Sequence, residues 1–449
     1  MSFLAKLRSK LPPESSLMSD TDIVASYSRD QALFAENGRP QAVLLARSIE
    51  EISIAVRVCN EEGVAVVARG AGSGLSGGAN ALDGCLVISF EKMNRIIEID
   101  QVNLHARVEP GVINLDIDNE AAKFGLAYLP DPASRDWSTI GGNIATNAGG
   151  MCCVKYGVTS HHVRALKVVL ASGEIVDLGK ATKKNVATLD LMHLMVGSEG
   201  TLGLIVEAVV GLVPRPKQIS TFIFSFQRLV EAARTIETLV KLGPSMLEIV
   251  DRTTIRAVEE WQKLGFEDAG AAIIMQIDQA CDAEEIIESV KAQGAIEAVY
   301  TEDAKEAKDF LMLRKLAYPA LERMGKAMLD DVAVPINKIA DLIKEVEVLQ
   351  GETGLTIGIF GHAGDGNMHP TIVYPHGDVE AEIKARQAFI RIVEIAQDLG
   401  GSTSGEHGIG NIKVGIVIRE ISGNVIALQR AIKKVFDPKG IFNPGKKYN

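Results

Sequence analysis

Short apolar runs and one amphipathic stretch alternate from position 43 onward. VLLA reads as a strand, and SIEEISIAVRVCNEEG as a helix capped by Ser48 that opens on Glu50 and Glu51. VAVVAR reads as a β-branched strand, completing a short βαβ-like element that runs into RGAGSGLSGGAN. GCLVISF, IIEID and HARVEPG follow as short strands, IGGNIATNAGG as a second glycine-rich loop, and VRALKVVLASGEIVDLG as a hairpin-like pair. The texture changes after Pro214-Arg215-Pro216. LVEAARTIETLVKLG and AEEIIESVKAQG carry helical periodicity, SMLEIVD and AAIIMQI read as strands, and a helix-rich segment spans about 304–326. The predicted domains are therefore residues 1–214 and 215–449, the second an α+β layer of sheet and helices, with VIALQRAIKKVFD as a helical tail ending in PKGIFNPGKK.

A chain of 449 residues exceeds what one core usually serves, which agrees with two domains. The net charge of −11 argues against a nucleic-acid partner, since tracking phosphates needs excess Lys and Arg. No run reaches the ~18 apolar residues of a membrane span. The start, MSFLAKLRSKL, sets Phe3, Leu4, Leu7 and Leu11 against Lys6, Arg8 and Lys10, and lacks the apolar core of a signal peptide. A solvated first helix is favoured over a surface that docks a partner or a membrane. Five cysteines without a CxxC fit a reducing cytoplasm and provide neither an iron–sulfur cluster nor a cysteine zinc site. Adjacent Cys152 and Cys153 read as two ordinary thiols rather than a redox pair or a flavin tether. The expected location is the cytoplasm, with peripheral attachment to the inner face of the membrane left open.

Gly72-Ser73-Gly74-Leu75-Ser76-Gly77 formally matches GxGxxG, but a Rossmann unit needs a crossover helix after the last glycine. Only GANALDG separates Gly77 from CLVISF, too short and too rich in Gly, Asn and Asp for that helix. What remains is a loop in which Gly70, Gly72, Gly74, Gly77 and Gly78 let backbone N–H groups converge on an anion such as a diphosphate. IGGNIATNAGG, with its small polar residues, suits backbone contact with a flat heterocycle. A dinucleotide held by loops between strands follows from the two together.

His362 and His369 flank AGDGNM between TIGIF and PTIVY, so a glycine turn could bring both imidazoles to one mouth. Glu406-His407 lies in a further glycine-rich loop, STSGEHGIG. Two histidines and a carboxylate with open positions make a catalytic divalent-metal site conceivable. Spacing alone leaves that reading level with histidines that merely satisfy turn hydrogen bonds.

RGAGSGLSGG, DPASRDWSTIGGNIATNAGG, VKYG and GSEGTLGLI, in this order and spacing, resemble the FAD-binding domain of the vanillyl-alcohol oxidase/p-cresol methylhydroxylase superfamily. GHAGDGNMHP, SGEHGIG and FDPKGIFNPGK resemble its branch of D-lactate dehydrogenases, glycolate dehydrogenase flavin subunits and D-2-hydroxyglutarate dehydrogenase. The resemblance runs from about Val43 to the C-terminus. It implies an α+β fold: a two-subdomain FAD-binding domain of the p-cresol methylhydroxylase type, then an antiparallel α+β substrate or cap domain whose helical tail contacts FAD. FAD would rest on Arg69, Gly70, Ala71, Gly72, Ser73, Gly74, Leu75, Ser76, Gly77 and Gly78. Pro132, Ser138, Thr139, Gly141, Gly142, Ala145, Asn147, Glu199, Gly200, Gly203 and Asn443 would contact the rest of it. No histidine stands in the first glycine loop, so the FAD is expected to be non-covalent.

The resemblance also moves His362, His369 and Glu406 to metal ligands, with zinc favoured over iron or manganese. His407, adjacent to Glu406, is the expected general base, and Arg314 matches the arginine that holds the substrate carboxylate in the family. The reaction implied is oxidation of a D-2-hydroxy acid to the 2-oxo acid, with hydride passing to flavin N5 and the metal lowering the hydroxyl pKa. Relatives that handle dicarboxylates carry a lysine where Leu329 stands, near Lys326, so D-lactate or glycolate is favoured over D-2-hydroxyglutarate. The electron acceptor would be a quinone, a cytochrome, an electron-transfer flavoprotein or an iron–sulfur subunit. An oxygen-using oxidase and a non-catalytic FAD-binding subunit are the alternatives.

Overall fold

A computed structural model describes residues 1–266 and 268–447. It resolves into two compact units: Met1–Gly149, Val158–Arg215 and Glu406–Asn449 form unit 1, while Gly150–Gly157 and Pro216–Gly405 form unit 2. The C-terminal stretch, which follows the second half in sequence, thus packs with the first.

Unit 1 contains a four-stranded sheet ordered Ser16–Met18, Ala42–Leu45, Leu86–Ser89, Val66–Arg69. The helix Ile49–Glu62 begins where Ser48 accepts the Glu51 N–H and ends at Gly63, whose φ of 69° suits glycine. The βαβ-like reading needs adjustment here. Ala42–Leu45 and Val66–Arg69 do not pair with each other; each pairs in parallel with Leu86–Ser89 between them. No helix follows Gly77, and the chain turns directly into Leu86–Ser89. A five-stranded antiparallel sheet follows, ordered Ile96–Asp100, His105–Val108, Leu204–Gly211, Val163–Val169, Ile175–Gly179.

IGGNIATNAGG differs from expectation, because Ile140–Thr146 is a helix rather than a loop between strands. Thr139 Oγ1 accepts the Gly142 N–H at 3.4 Å, and Asn147 ends the helix with φ 56°. Both glycines sit in the first turn, and a Cβ on Gly141 would lie 2.6 Å from Pro110 Cβ, so close packing rather than freedom explains that glycine. The first helix, Phe3–Lys10, buries Leu7 completely and packs Phe3 and Leu4 on the core of its own unit. Its apolar side is thus covered, and Lys6 pairs with Glu62 at 2.6 Å.

Unit 2 is built on an eight-stranded antiparallel sheet. Its order is Ala295–Thr301, Ser220–Phe226, Ala271–Ile277, Met246–Asp251, Thr356–His362, Asn367–Tyr374, Lys326–Leu329, with Val332–Ala333 also pairing with Asn367–Tyr374. The helix Ala304–Met324 buries Leu313, Ala317, Ala320 and Leu321 in a cluster with Val250, Ile274 and Phe360. Lys155 and Tyr156 both contact Asp278, which anchors residues 150–157 to this unit. Among the described residues no helix is long and apolar enough to cross a membrane.

Candidate active site

In unit 1 the loop of residues 69–78 is shaped by what a side chain would strike. A Cβ on Gly72 (φ 78°) would lie 2.2 Å from the Arg69 guanidinium, and one on Gly77 (φ 81°) would lie 2.2 Å from Asn411 Oδ1 and 2.7 Å from Ala35 Cβ. At these positive φ values, with the Cβ volume already filled by other side chains, the two positions admit glycine alone. Arg69 is buried, donates to the Arg29 carbonyl at 2.9 Å and lies over the Tyr27 ring at 5.9 Å. With Tyr27, Gly70, Ala71, Glu91 and Thr139 it lines a cavity of about 320 Å³, large enough for part of a cofactor.

The C-terminal tail closes on the same loop. Asn443 Nδ2 donates to the carbonyls of Gly78 at 2.9 Å and Glu199 at 2.7 Å, while its buried Oδ1 meets no donor. The Glu199 carboxylate accepts the Ile409 N–H at 2.9 Å and the Gly410 N–H at 2.7 Å, so this side chain fixes the loop rather than facing a cofactor. Glu199 N–H donates to the Ala145 carbonyl, which seats the loop bearing Gly200 and Gly203 on the helix Ile140–Thr146. Asn147 Oδ1 holds the Ser160 N–H at 2.8 Å, and Ser138 Oγ accepts from Asn143 at 3.2 Å. Glycines that exclude any Cβ, a lined cavity and the orphaned Asn443 oxygen fit a dinucleotide carrying polar groups.

Lys446 donates to the carbonyls of Gly78, at 3.1 Å, and Asn80. Burial lowers its pKa to about 8, against the raising effect of Asp30, Cys85 and Glu199. Below pH 8 both folded and unfolded chains hold this proton, and the cost of burying the charge is fully present. From about 8 to 10.5 the folded chain loses the proton first, so stability rises with pH across that window. Lys446→Met is expected to remove the rise, as measured by urea unfolding of FAD-free protein at the two ends of the window. Equal pH slopes in both proteins would contradict this assignment.

In unit 2 the hairpin Thr356–His362/Asn367–Tyr374 pairs Phe360 with His369. His362, two residues beyond Phe360, therefore shares a face with His369. Both histidines are buried, with ring centroids 5.2 Å apart at an interplanar angle of 89°. The neighbouring strand pairs Ile249 with Gly361, so the same register sets Glu248 opposite His362. Glu248 Oε1 lies 2.8 Å from His362 Nδ1, and Oε2 accepts from Arg314 Nε at 2.6 Å. Burial pushes the Glu248 pKa up, but the charges of His362 and Arg314 prevail and hold it below the ordinary carboxylate value. The Arg314 guanidinium lies over the Phe360 ring at 4.7 Å. Asp331, also buried, accepts from Asn367 at 2.7 Å and Ser404 at 2.6 Å, and its Oδ1 stands 3.9 Å from His369 Nδ1.

The structure thus gathers His362, His369 and Arg314 at one end of this sheet. Glu406 and His407 open the last stretch of unit 1, with His407 Nε2 at 3.8 Å from Glu406 Oε1. Lys326 is engaged with Glu382 at 3.1 Å, and Leu329 ends the strand Lys326–Leu329. The sequence reading missed Glu248. A lone carboxylate inside the apolar run Met246-Leu247-Glu248-Ile249-Val250 was its signal, since such a charge needs a buried partner. Imidazoles and carboxylates of this kind suit a borderline divalent cation, and the planar arginine suits a carboxylate.

Comparison with known proteins identifies the families to which the two halves of the chain are similar. Residues 40–179 match the family described as FAD binding domain, and residues 215–447 the family described as FAD linked oxidases, C-terminal domain. The chain is 39% identical to the glycolate oxidase subunit GlcD of Bacillus subtilis (strain 168), over 91% of its own length and 89% of that protein's. It is 35% identical to the D-lactate dehydrogenase of Anaerostipes hadrus, over 97% and 95% of the two chains. Among solved structures, p-cresol methylhydroxylase with substrate bound superposes with a TM-score of 0.80 at 18% identity, over 99% of this chain and 96% of that one, which establishes likeness of fold.

Proposed function

Because this chain belongs to the FAD-linked oxidases and is an FAD-dependent oxidoreductase of hydroxy acids, we propose that it dehydrogenates a small 2-hydroxy monocarboxylate, D-lactate or glycolate, to the 2-oxo acid. The observation that carries this reading is the convergence of Arg314, His362 and His369 on one buried face of unit 2. When bound, non-covalent FAD supplies the hydride acceptor and a divalent cation, zinc before iron or manganese, supplies a Lewis acid for the hydroxyl oxygen. The residues fit such a cation, because buried imidazoles are costly without partners and are good ligands when neutral.

His362, His369 and Glu406 would hold the cation and leave positions open for substrate. Arg314 keeps its two terminal nitrogens for the substrate carboxylate, since only Nε is given to Glu248. His407 takes the hydroxyl proton on a ring nitrogen. With Leu329 apolar and Lys326 occupied by Glu382, no second cation is offered on this strand to a dicarboxylate. Two-electron equivalents would leave to a quinone, cytochrome, electron-transfer flavoprotein or iron–sulfur subunit. The description of the Bacillus subtilis relative as a subunit favours a role within a complex.

Two measurements test this. Chelation followed by desalting should suppress turnover, and zinc, iron or manganese should restore it; full activity in metal-free protein would remove the cation from the reading. kcat/KM should be higher for D-lactate or glycolate than for D-2-hydroxyglutarate, and the reverse order would reassign the substrate.

A further inference from the structure

Glu248 is fully buried in the middle of an antiparallel sheet, and its two oxygens face two different functional groups. Oε1 meets His362 Nδ1 at 2.8 Å and Oε2 meets Arg314 Nε at 2.6 Å. We propose that Glu248 is a positioning residue that orients the metal-facing imidazole and the carboxylate-binding guanidinium from a single side chain. The inference rests on the assignment of His362 and Arg314 above.

The geometry supplies the reason. An ionised carboxylate offers only acceptors, so the nitrogen it faces on His362 carries the hydrogen. Nε2 is then the ring nitrogen turned away from Glu248, the one by which a histidine so held can ligate a cation. On the other side, Glu248 takes the Nε–H of Arg314, and Phe360 lies against the guanidinium face at 4.7 Å. The plane of the fork is fixed by these two contacts, and Nη1 and Nη2 remain for a planar pair of oxygens. Neither group could turn toward the other's task without breaking a contact to the same carboxylate. Substrate and cation binding are thereby coupled through one residue.

A purely structural role is the competing account, in which Glu248 only balances two buried cations. Two variants separate them. Glu248→Gln keeps the shape but has one acceptor oxygen, so it can serve His362 or Arg314 and not both. Glu248→Asp keeps the charge and shortens the reach, so charge balance alone predicts that it rescues function while positioning predicts that it does not. The measurements are the zinc dissociation constant of the FAD-loaded protein by chelator competition, and KM and kcat for D-lactate with zinc saturating.

Zinc affinity is expected to fall about 10- to 100-fold in both variants, and KM to rise roughly tenfold or more through the loosened Arg314, with FAD content unchanged. Wild-type zinc affinity and KM in Glu248→Asp would overturn the positioning role. Should Glu248→Gln fail to fold, Glu248→Asp still decides between the accounts. A wild-type protein that binds no zinc, iron or manganese would instead overturn the metal assignment on which the inference rests.

Discussion

Replacing His407 by alanine is expected to leave FAD bound and to slow anaerobic flavin reduction by D-lactate by about 10²- to 10⁴-fold, the usual worth of a general base. His407 lies outside the loop of residues 69–78, and neither Asn443 nor Lys446 hydrogen-bonds to it, so the cradle should survive its loss. The substrate hydroxyl would then lose the base assigned to it, and departure of the Cα hydride is slowed while that oxygen stays protonated. Stopped-flow absorbance of the flavin bands measures the step directly. A reduction rate equal to that of the wild type would remove His407 from the mechanism.

The second large effect is on stability. Lys433 is buried and donates to the carbonyls of Thr201 at 2.7 Å and Phe442 at 2.8 Å and to Asp437 Oδ2 at 2.6 Å. Asp437 in turn accepts the N–H groups of Ile441 at 3.0 Å and Phe442 at 2.7 Å. This clamp sets the path of residues 441–443, which run beside Val66 at the edge of the first sheet and deliver Asn443 to the glycine loop. Lys433→Met strands a buried carboxylate, which costs about 3–5 kcal/mol out of a typical total of roughly 5–15. Flavin fluorescence on heating should show release at a clearly lower temperature and lower FAD content on purification. An unchanged release temperature would show that the clamp contributes little.

The parts of the site legible in the sequence are those whose partners are near in the chain. The glycine loop was readable because residues 70–78 carry their own exclusion of a Rossmann helix, and the hairpin that joins His362 to His369 spans only the turn between them. Helix Ile140–Thr146 was not readable, because Gly141 and Gly142 lower helix propensity and the reason for Gly141 is its packing on Pro110, a tertiary contact. Glu248 was hidden for a different reason. It meets His362 across 114 positions, through a register between two strands that no local pattern encodes. The motif FDPKGIFNPGK was visible as a resemblance, yet its physical work, a lysine–aspartate clamp that returns the tail to the first unit, is a tertiary fact. The strand order of the first sheet was likewise out of reach, since the helix Ile49–Glu62 joins two strands that a third separates.

The most direct test of the central claim is the absorption spectrum of the purified protein under anaerobic conditions, before and after adding D-lactate or glycolate, with L-lactate as control. The account predicts an oxidised flavin spectrum that is bleached by D-lactate or glycolate and untouched by L-lactate. A flavin that stays oxidised with both, in protein supplied with zinc, iron or manganese, would contradict the proposed substrate class.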